Sequence, residues 1–457
     1  MEKQSRVMFG SKLGVVMATV GSAVGLGNIW RFPYMAGTNG GAAFLLVYLL
    51  CVLLLGLPVM LSEFFVGRYA HQNPVGAFKK LAPGTKWSWI GYNGVLAAFL
   101  ILGFYSVVSG WTLEYLYQSV TGSLHSKTTE ELTQGFTLFS TSIWRPIVCT
   151  VLFIAVTHTV ILSGVQKGIE RASKVMMPML FLMLVILCIR SMTLPGAKEG
   201  LHFLFKPDFG AIDSSVVLSA MGQAFFSLSI GMGCLITYAS YFDKKTNLQR
   251  TALQVTLLDT IVAVLAGVMI FPAVFSFGIE PTQGPSLIFI TLPNVFQQMP
   301  LGDVWSLLFY VLVALAALTS TISLHEVATA YMIEERRMSR KKAAWIVSGG
   351  VLFLGVISSL SIGIWKQYTI FGLNFFDFLD YITAKIMLPL GGMFICIFIG
   401  NRIKKNALQM ELTNQGSIRF YFFDTYYFFI KYIAPVAIGL IFLNELGLIK
   451  WIKSLFM

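Results

Sequence analysis

Long apolar segments alternate with short polar loops along nearly the whole sequence. Each segment is long enough for a helix to cross the roughly 30 Å hydrocarbon core of a bilayer. Only 12% of the 457 residues are charged, about half the usual share of roughly 25% in soluble proteins. The sequence therefore predicts an all-α integral membrane protein of about eleven transmembrane helices. The predicted spans are residues 13–36, 40–67, 89–120, 144–163, 169–194, 213–242, 252–278, 302–333, 343–364, 371–400 and 425–449.

The basic residues are distributed unevenly between the loops. Most of the 33 lysines and arginines lie before span 1 or in alternate loops after it, and the positive-inside rule places such loops in the cytoplasm. We therefore expect a cytoplasmic N-terminus and, with eleven spans, a C-terminus outside. The formal charge of +12 follows from this topology rather than from a basic stripe, so no nucleic-acid partner is expected.

Two of the predicted spans contain glycine-rich interruptions near their centres. Span 1 contains Gly21–Asn28 (GSAVGLGN), and span 6 contains Ser227–Gly233 (SLSIGMG). Glycine destabilises a helix by about 1 kcal/mol relative to alanine, and unwound backbone inside a membrane occurs only where it lines a cavity or is buried in protein. Either segment alone is also compatible with close helix packing through small residues. Two interrupted helices five spans apart favour inverted repeats with a binding site at the centre of the membrane.

The first interruption is part of a longer motif. The run from Gly21 to Tyr34 (GSAVGLGNIWRFPY) is similar to the first-helix signature of the neurotransmitter:sodium symporters. The chain is therefore identified as a member of that family, and an eleventh span without a twelfth resembles its shorter bacterial transporters. Further motifs of the family follow in the expected order, at Asn39–Phe44, Gly56–Pro58, Glu63, Gly67–Tyr69, Gln223–Ser229, Thr237–Tyr241 and Ala316–Ser320.

This resemblance implies both a fold and a function. The fold would consist of two five-helix inverted repeats with broken helices 1 and 6, in residues 1–200 and 201–400, and a peripheral helix in 401–457. The function would be sodium-coupled import of an amino acid by alternating access, across the inner membrane of a bacterium. An enzyme is not expected, because the five histidines are scattered and we find no phosphate loop or nucleophile motif.

The resemblance also implies two sodium sites. Hard cations bind through several oxygen ligands, and a helix frees its carbonyls only where it is broken. The first site would consist of the Ala23 carbonyl, the side chains of Asn28 and Ser227, and a side chain from span 7, Asp259. The second would consist of the carbonyls of Gly21, Val24 and Ala316 and the hydroxyls of Thr319 and Ser320. From the sequence alone, these two hydroxyls could instead bond back to their own helix.

Asp259 is the one acidic residue in the apolar body of span 7. It falls where chloride-dependent relatives carry a sodium-binding asparagine, and Ala263 falls where they carry a chloride-binding serine. A buried carboxylate is costly without a cation, so its charge could replace that of chloride. We therefore expect transport to require sodium but not chloride, with Asp259 taking up a proton when sodium leaves. A structural aspartate paired within the bundle is the alternative.

The substrate would lie between the two interruptions. By resemblance, its carboxylate would meet the Tyr105 hydroxyl and the amides of Leu26 and Gly27, where a half-helix dipole favours anions. Members of the family that take amines without a carboxylate carry an aspartate near Ser22 or Ala23, and its absence from this sequence favours a substrate with its own carboxylate. Flexible Met232 favours a neutral, hydrophobic or aromatic amino acid. The ammonium would meet the carbonyls of Ala23, Phe226 and Ser227 and the Ser229 hydroxyl, and the side chain would contact Ile101, Phe226, Met232 and Leu324. Each of these four lining residues is also compatible with ordinary helix packing.

Two pairs of opposite charges resemble the gates of the family. Arg31 would pair with Asp380 of span 10 on the outer side, and Arg6 with Glu334 on the cytoplasmic side. Phe9 occupies a position where a tryptophan is more usual in the family, so the resemblance does not decide whether the inner closing contact forms.

Other functions stay compatible with the sequence. A passive channel would need a continuous polar lining, whereas the polar residues cluster at the centres of spans 1, 6 and 8. A sensor would bind the amino acid without accumulating it, and a transporter could carry another small carboxylate-bearing solute. The lipid bilayer is an expected partner, and the oligomeric state is left open.

Overall fold

The protein is built from helices that pack side by side. The computed structural model describes residues 7–125, 127–278, 287–445 and 447. Within these residues, nine helices are long and apolar enough to cross a membrane, and a pair of helices bent by 49° would make a tenth crossing. Apart from one isolated bridge between Ile370 and Leu373, the regular elements in the described residues are helical. The predicted all-α membrane fold is therefore confirmed.

The helices are numbered here in chain order. They are α1 (Lys12–Ala23), α2 (Gly27–Thr38), α3 (Ala42–Ala70), α4 (Pro74–Leu81), α5 (Ser88–Val120), α6 (Thr129–Thr141), α7 (Trp144–Leu162), α8 (Val165–Met192), α9 (Ala197–Phe205), α10 (Ser214–Ser227), α11 (Cys234–Ala239), α12 (Leu248–Ser276), α13 (Ile288–Gln297), α14 (Gly302–Glu335), α15 (Arg340–Ile362), α16 (Phe375–Arg402), α17 (Lys405–Leu412) and α18 (Phe423–Asn444). A short 3₁₀ turn covers Phe209–Ala211.

Both predicted interruptions are present. Span 1 is divided into α1 and α2, and span 6 is divided into α10 and α11. Neither α10, with 14 residues, nor α11, with six, is long enough to cross a bilayer by itself, since crossing takes roughly 20 residues. The total of eleven spans, the inverted repeats and the three-part division of the chain stay predictions.

The first break is stabilised by a local side chain. Val24 leaves the helical conformation, with φ −69° and ψ 118°, and the Gly25 N–H donates to Asn28 Oδ1 over 3.0 Å. The carbonyls in the last turn of α1 consequently lack helical donors. They are available to other ligands.

The second break depends on glycine. Gly231 has a φ of 84°, and a Cβ at this position would lie 2.4 Å from the Leu388 carbonyl oxygen. Any other residue would therefore be strained both in its backbone and against α16. The buried carboxylate of Glu63 accepts the Gly231 N–H over 2.8 Å, which replaces the helical partner that this amide lacks.

The longest helices position the two breaks. Helix α14 packs along α5, and α5 also packs against α7 and α15. Helices α1 and α11 both contact α14, so the breaks meet beside its centre. The start of α1 is fixed to α8 by Glu170, whose carboxylate accepts the Gly10 N–H at 2.7 Å and the Ser11 hydroxyl at 2.8 Å.

Candidate functional site

A buried network of polar side chains connects three helices near the first break. We call Asn28, Ser227 and Asp259 the Asp259 cluster; they come from α2, α10 and α12. Asn28 Nδ2 donates to Asp259 Oδ1 at 2.8 Å and to Ser227 Oγ at 3.0 Å. The Ser227 hydroxyl donates to Asp259 Oδ2 at 2.8 Å. The structure therefore brings together the three side chains predicted for the first sodium site.

The Asp259 carboxylate is fully buried. Its side-chain hydrogen bonds come from the neutral groups of Asn28 and Ser227, and no lysine, arginine or histidine in the described part of the chain forms an ion pair with it. A buried charge without a counter-charge is strongly destabilising. The arrangement is therefore suited to a cation, with the Ala23 carbonyl at the nearby end of α1.

A second group of oxygen atoms lies between the end of α1 and the centre of α14. We call Gly21, Val24, Ala316, Thr319 and Ser320 the Thr319 cluster. The Thr319 hydroxyl donates to the Val24 carbonyl at 3.2 Å and to the Ala316 carbonyl at 2.9 Å, and the Ser320 hydroxyl donates to Val24 at 3.5 Å. A Cβ on Gly21 would be 3.4 Å from Thr319 Cβ. The bond from Thr319 to Ala316 is the within-helix alternative, and it coexists with the contact to α1.

A small cavity lies between the two breaks. Its volume is about 30 Å³, which is room for about two water molecules, so binding of an amino acid requires its walls to move apart. Eight predicted substrate residues line it: Ala23, Gly27, Ile101, Tyr105, Phe226, Ser229, Met232 and Leu324. Leu26 and Ser227, which were also predicted to bind substrate, are not among its lining residues. The Leu26 N–H donates to the Tyr105 hydroxyl oxygen at 3.0 Å, and Ser227 belongs to the Asp259 cluster.

Sequence reasoning missed other residues of the cavity, namely Ser22, Gly25, Cys234 and Ser323. Ser22 and Gly25 lie inside the first motif, so a role could have been considered for them. Ser323 is three residues after Ser320 and hence on the same face of α14, which is a signal that could have found it. Cys234 faces the cavity because of the turn at Gly233, and the sequence alone does not show that orientation.

The residues predicted to form the outer gate lie next to this cavity. The Arg31 guanidinium is 4.3 Å from the centroid of the Phe226 ring, within the range of a cation–π contact. Arg31 also interacts electrostatically with Asp380. The structure thus brings together the predicted outer pair and the aromatic ring that lines the cavity.

The residues predicted to form the inner gate are described in part. Arg6 lies outside the described residues, so its predicted pairing with Glu334 stays a prediction. Glu334 accepts hydrogen bonds from the Asn73 backbone and side-chain amides at 2.8 and 3.1 Å. Phe9 makes edge-to-face contacts with Tyr238 and Tyr241, each at 5.9 Å between ring centroids. A phenylalanine at this position therefore still packs closely.

A second buried ionic network on this side was missed from the sequence. The fully buried carboxylate of Glu326 accepts from Arg340 at 2.5 and 3.1 Å and from the Tyr241 hydroxyl at 2.7 Å. Glu326 is a fully buried acid in the polar central part of α14, beside His325, and a buried acid in a membrane helix is itself a signal for a function or a partner. The network connects α14 to α15 and to the residues that follow α11.

Comparison with known proteins agrees with this geometry. A family model described as "Sodium:neurotransmitter symporter family" matches residues 6–134 and 124–453. The uncharacterised sodium-dependent transporter YhdH of Bacillus subtilis is 43% identical over 455 residues, which cover 99% of this chain and 100% of the relative. The sodium- and chloride-dependent GABA transporter 2 of Bos taurus is 29% identical over 446 residues, covering 86% of this chain and 72% of that protein.

A solved structure extends the similarity to three dimensions. The crystal structure of MhsT in complex with L-phenylalanine matches with a TM-score of 0.90 and 46% sequence identity, covering 96% of this chain and 100% of MhsT. The family consists of multi-pass membrane transporters rather than enzymes, and YhdH and GABA transporter 2 are both described as sodium-dependent. The resemblance found in the motifs is thereby confirmed: this chain belongs to the sodium:neurotransmitter symporter family and is a sodium-dependent membrane transporter.

Proposed function

We propose that this transporter imports neutral amino acids with hydrophobic or aromatic side chains together with sodium. The observation that carries the proposal is the cavity between the two breaks, where Ile101, Met232 and Leu324 form apolar walls beside freed backbone groups. Its lining residues include no charged side chain, so a zwitterion with no net charge is favoured over a cation or an anion. The related MhsT was crystallised with L-phenylalanine, a substrate of this class.

The polar end of the cavity can hold both charged ends of an amino acid. The Tyr105 hydroxyl accepts the Leu26 N–H and also contacts Ser320; its own hydrogen would turn to donate to a carboxylate. The Gly27 amide lies at the start of α2, where the helix dipole favours an anion. The carbonyls of Ala23 and Phe226, two residues that line the cavity, would receive the ammonium, and the Ser227 carbonyl would join them once the walls move apart. The Ser229 hydroxyl, which donates to the Ser22 carbonyl at 2.8 Å, would contribute an oxygen.

We assign two sodium ions to this transporter. The Asp259 cluster would bind one next to the substrate carboxylate, and the Thr319 cluster would bind the other between α1 and α14. Both clusters share the last turn of α1, so sodium would fix this turn in the position from which it contacts the substrate. Sodium and substrate should then raise each other's affinity by the same factor.

Coupling can be measured on purified protein. We expect phenylalanine to raise the melting temperature in sodium but not in choline, because a ligand stabilises only the state that binds it. Isothermal titration at several sodium concentrations should show an affinity for phenylalanine that increases with sodium. A sodium-independent affinity would contradict coupled transport. In proteoliposomes, a sensor would show sodium-dependent binding without accumulation, and a channel would show flux that never exceeds equilibrium.

Chloride independence is the second part of the proposal. Asp259 and Ala263 lie one turn apart on α12 and are both fully buried. The aspartate would supply the negative charge, and the alanine offers no hydroxyl for an anion. Uptake should therefore be the same in chloride and in gluconate. A carboxylate at this place could also take up a proton when sodium leaves, which an internal pH dye would detect as proton export during uptake.

The direction of transport follows from the proposed orientation. The basic loops would face the cytoplasm, with Arg31 and Asp380 as the outer gate and Glu334 with Arg6 as the inner gate. Labelling of single cysteines introduced near Lys244 and near Phe371 tests this, since these positions should react from opposite sides of the bacterial inner membrane.

A further inference from the structure

A groove between α1 and the start of α12 is separate from the substrate cavity. Its volume is about 490 Å³, which falls in the usual range of roughly 300–1,000 Å³ for ligand sites. Residues at the beginning of α1 form one wall, and residues from the loop before α12 and its first three turns form the other. The groove opens on the surface of the bundle, close to the loops that we place in the cytoplasm.

One end of the groove is strongly cationic. Lys12, Lys245 and Arg250 line it and are exposed, and their side chains form no ion pair within the described residues. None of the described lining residues is acidic; Asp243, two residues before Lys245, is exposed and accepts the Lys245 backbone N–H at 3.1 Å. Three uncompensated cations repel each other, so an anion between them would be stabilising.

The start of α12 adds to this positive potential. Asn247 caps the helix by accepting the Arg250 N–H at 2.9 Å, and the N-terminal dipole of a helix favours an anion within its first turn. Lys245 and Arg250 lie on either side of this cap. The cationic end therefore combines side-chain charges and a helix terminus at one place.

The other end of the groove is apolar. Val16 and Met17, in the second turn of α1, line it together with Leu258 of α12, and Leu13, which follows Lys12, is 60% exposed. Leu258 lies ten residues after the start of α12, or about 15 Å along the helix axis. Thr251 and Gln254 lie between the two ends. The groove thus changes from cationic to weakly polar to apolar over a depth that matches the headgroup, ester and acyl regions of a phospholipid.

We propose that this groove binds one anionic phospholipid, with its phosphate between Lys12, Lys245 and Arg250 and an acyl chain along the apolar wall. A free phosphate would leave the apolar wall unfilled, and a neutral lipid would leave the cations uncompensated. Basic pockets between helices on the cytoplasmic side are typical sites for anionic headgroups. The bound lipid would connect the start of α1 to α12, opposite the contact between α1 and Glu170.

Native mass spectrometry of the purified transporter tests this site directly. The probes are phosphatidylglycerol and phosphatidylcholine with identical oleoyl chains. We expect the wild type to bind phosphatidylglycerol at least tenfold more tightly than phosphatidylcholine. A triple variant, Lys12→Gln with Lys245→Gln and Arg250→Gln, should lose about fivefold in phosphatidylglycerol affinity for each cation removed, since each contributes roughly 1 kcal/mol near an anionic lipid.

The matched control removes the same charge elsewhere on the predicted cytoplasmic side. Lys341→Gln with Lys342→Gln and Lys404→Gln, all exposed, should keep wild-type lipid affinity. Melting curves in neutral detergent establish that the variants are folded, and the single variant Arg250→Gln provides the same comparison if the triple variant unfolds. Equal phosphatidylglycerol affinity in the groove and control variants would overturn the proposal. So would equal binding of both lipids by the wild type, or thermal protection by inorganic phosphate that equals that by phosphatidylglycerol.

Discussion

The Asp259 cluster and the Thr319 cluster lie at the same broken helix but differ in chemistry. The first contains a buried carboxylate held by side chains of α2 and α10 at 2.8 Å. The second contains only neutral oxygens, and its contacts between α14 and Val24 are longer, at 3.2 and 3.5 Å. The Asp259 cluster therefore attracts a cation through a fixed negative charge, whereas the Thr319 cluster depends on the positions of neutral oxygen atoms.

This difference suggests different duties for the two proposed sodium sites. Attraction to a carboxylate falls gradually with distance, so the Asp259 cluster should keep its cation through small movements. Attraction of an ion to the dipoles of neutral carbonyls and hydroxyls falls more steeply with distance, so the Thr319 cluster should respond more sharply to the separation of α1 and α14. We expect the Thr319 cluster to release its ion first when α1 moves.

The largest loss of sodium affinity should come from removing the charge of Asp259. Asp259→Asn keeps the size of the side chain but replaces a charged partner, whose hydrogen bonds contribute about 1.5–3 kcal/mol. The sodium concentration needed for half-maximal phenylalanine binding should rise at least tenfold. Binding of radiolabelled phenylalanine across a sodium series measures it.

Two further variants sharpen this result. Asp303→Asn makes the same substitution at an exposed position at the start of α14 and should leave the sodium dependence unchanged. Adding Ala263→Ser to Asp259→Asn should restore binding in chloride but not in gluconate, because an anion would then supply the missing charge. If Asp259→Asn keeps wild-type sodium affinity, this carboxylate does not bind the ion and the contrast between the clusters disappears.

A smaller loss of sodium affinity should follow from removing the neutral hydroxyls of the Thr319 cluster. Thr319→Val with Ser320→Ala removes two hydroxyls from the Thr319 cluster with little change in volume. Each neutral hydrogen-bonding group contributes about 0.5–1.5 kcal/mol, so sodium affinity should fall by about 1–3 kcal/mol for the two groups together, without any chloride effect. The same sodium series with radiolabelled phenylalanine measures it.

The control for this pair lies on the same helix. Thr321→Val with Ser306→Ala removes two buried hydroxyls of α14 that contact Thr157 and Ser119 instead of α1. This variant should keep the sodium dependence of the wild type. An equal loss in both double variants would mean that α14 is generally destabilised, and the second site would then lie elsewhere.

Local sequence signals predicted the architecture well. Hydropathy located the spans, and the glycines around Gly25 and Gly231 located both breaks, because backbone conformation is determined mainly by neighbours in the sequence. The members of the two clusters were selected by family resemblance, and the structure brings them together. The positions of Tyr105 and Tyr48 beside the clusters depend on how whole helices pack. The Tyr48 hydroxyl, for example, lies 3.5 Å from Ser227 Oγ.

Long-range pairs were harder to predict. Glu326 is separated from Arg340 by 14 residues and from Tyr241 by 85, and no local pattern connects them. The contact of Glu170 with Gly10 spans 160 residues. Cys234 lines the cavity only because Gly233 turns the chain with a φ of 74°. These features arise from tertiary packing, which a single sequence does not specify residue by residue.

The smallest expected effect is a change in substrate preference, with sodium binding at both clusters unchanged. Met232 lines the cavity and is 5% exposed, and it lies on the non-helical segment between two glycines with positive φ. Met232→Phe would place a rigid ring there and narrow the cavity, which should shift preference from aromatic towards smaller aliphatic amino acids by about 1 kcal/mol, or roughly fivefold. Competition of leucine and tryptophan against radiolabelled phenylalanine measures this ranking.

Met232→Leu, which nearly conserves volume, should preserve the wild-type ranking. The sodium dependence should stay constant in both variants, since neither touches Asp259 or Thr319. A changed sodium dependence in Met232→Phe would mean that the cavity and the clusters form one unit, whereas an unchanged ranking would mean that Met232 does not contact the substrate.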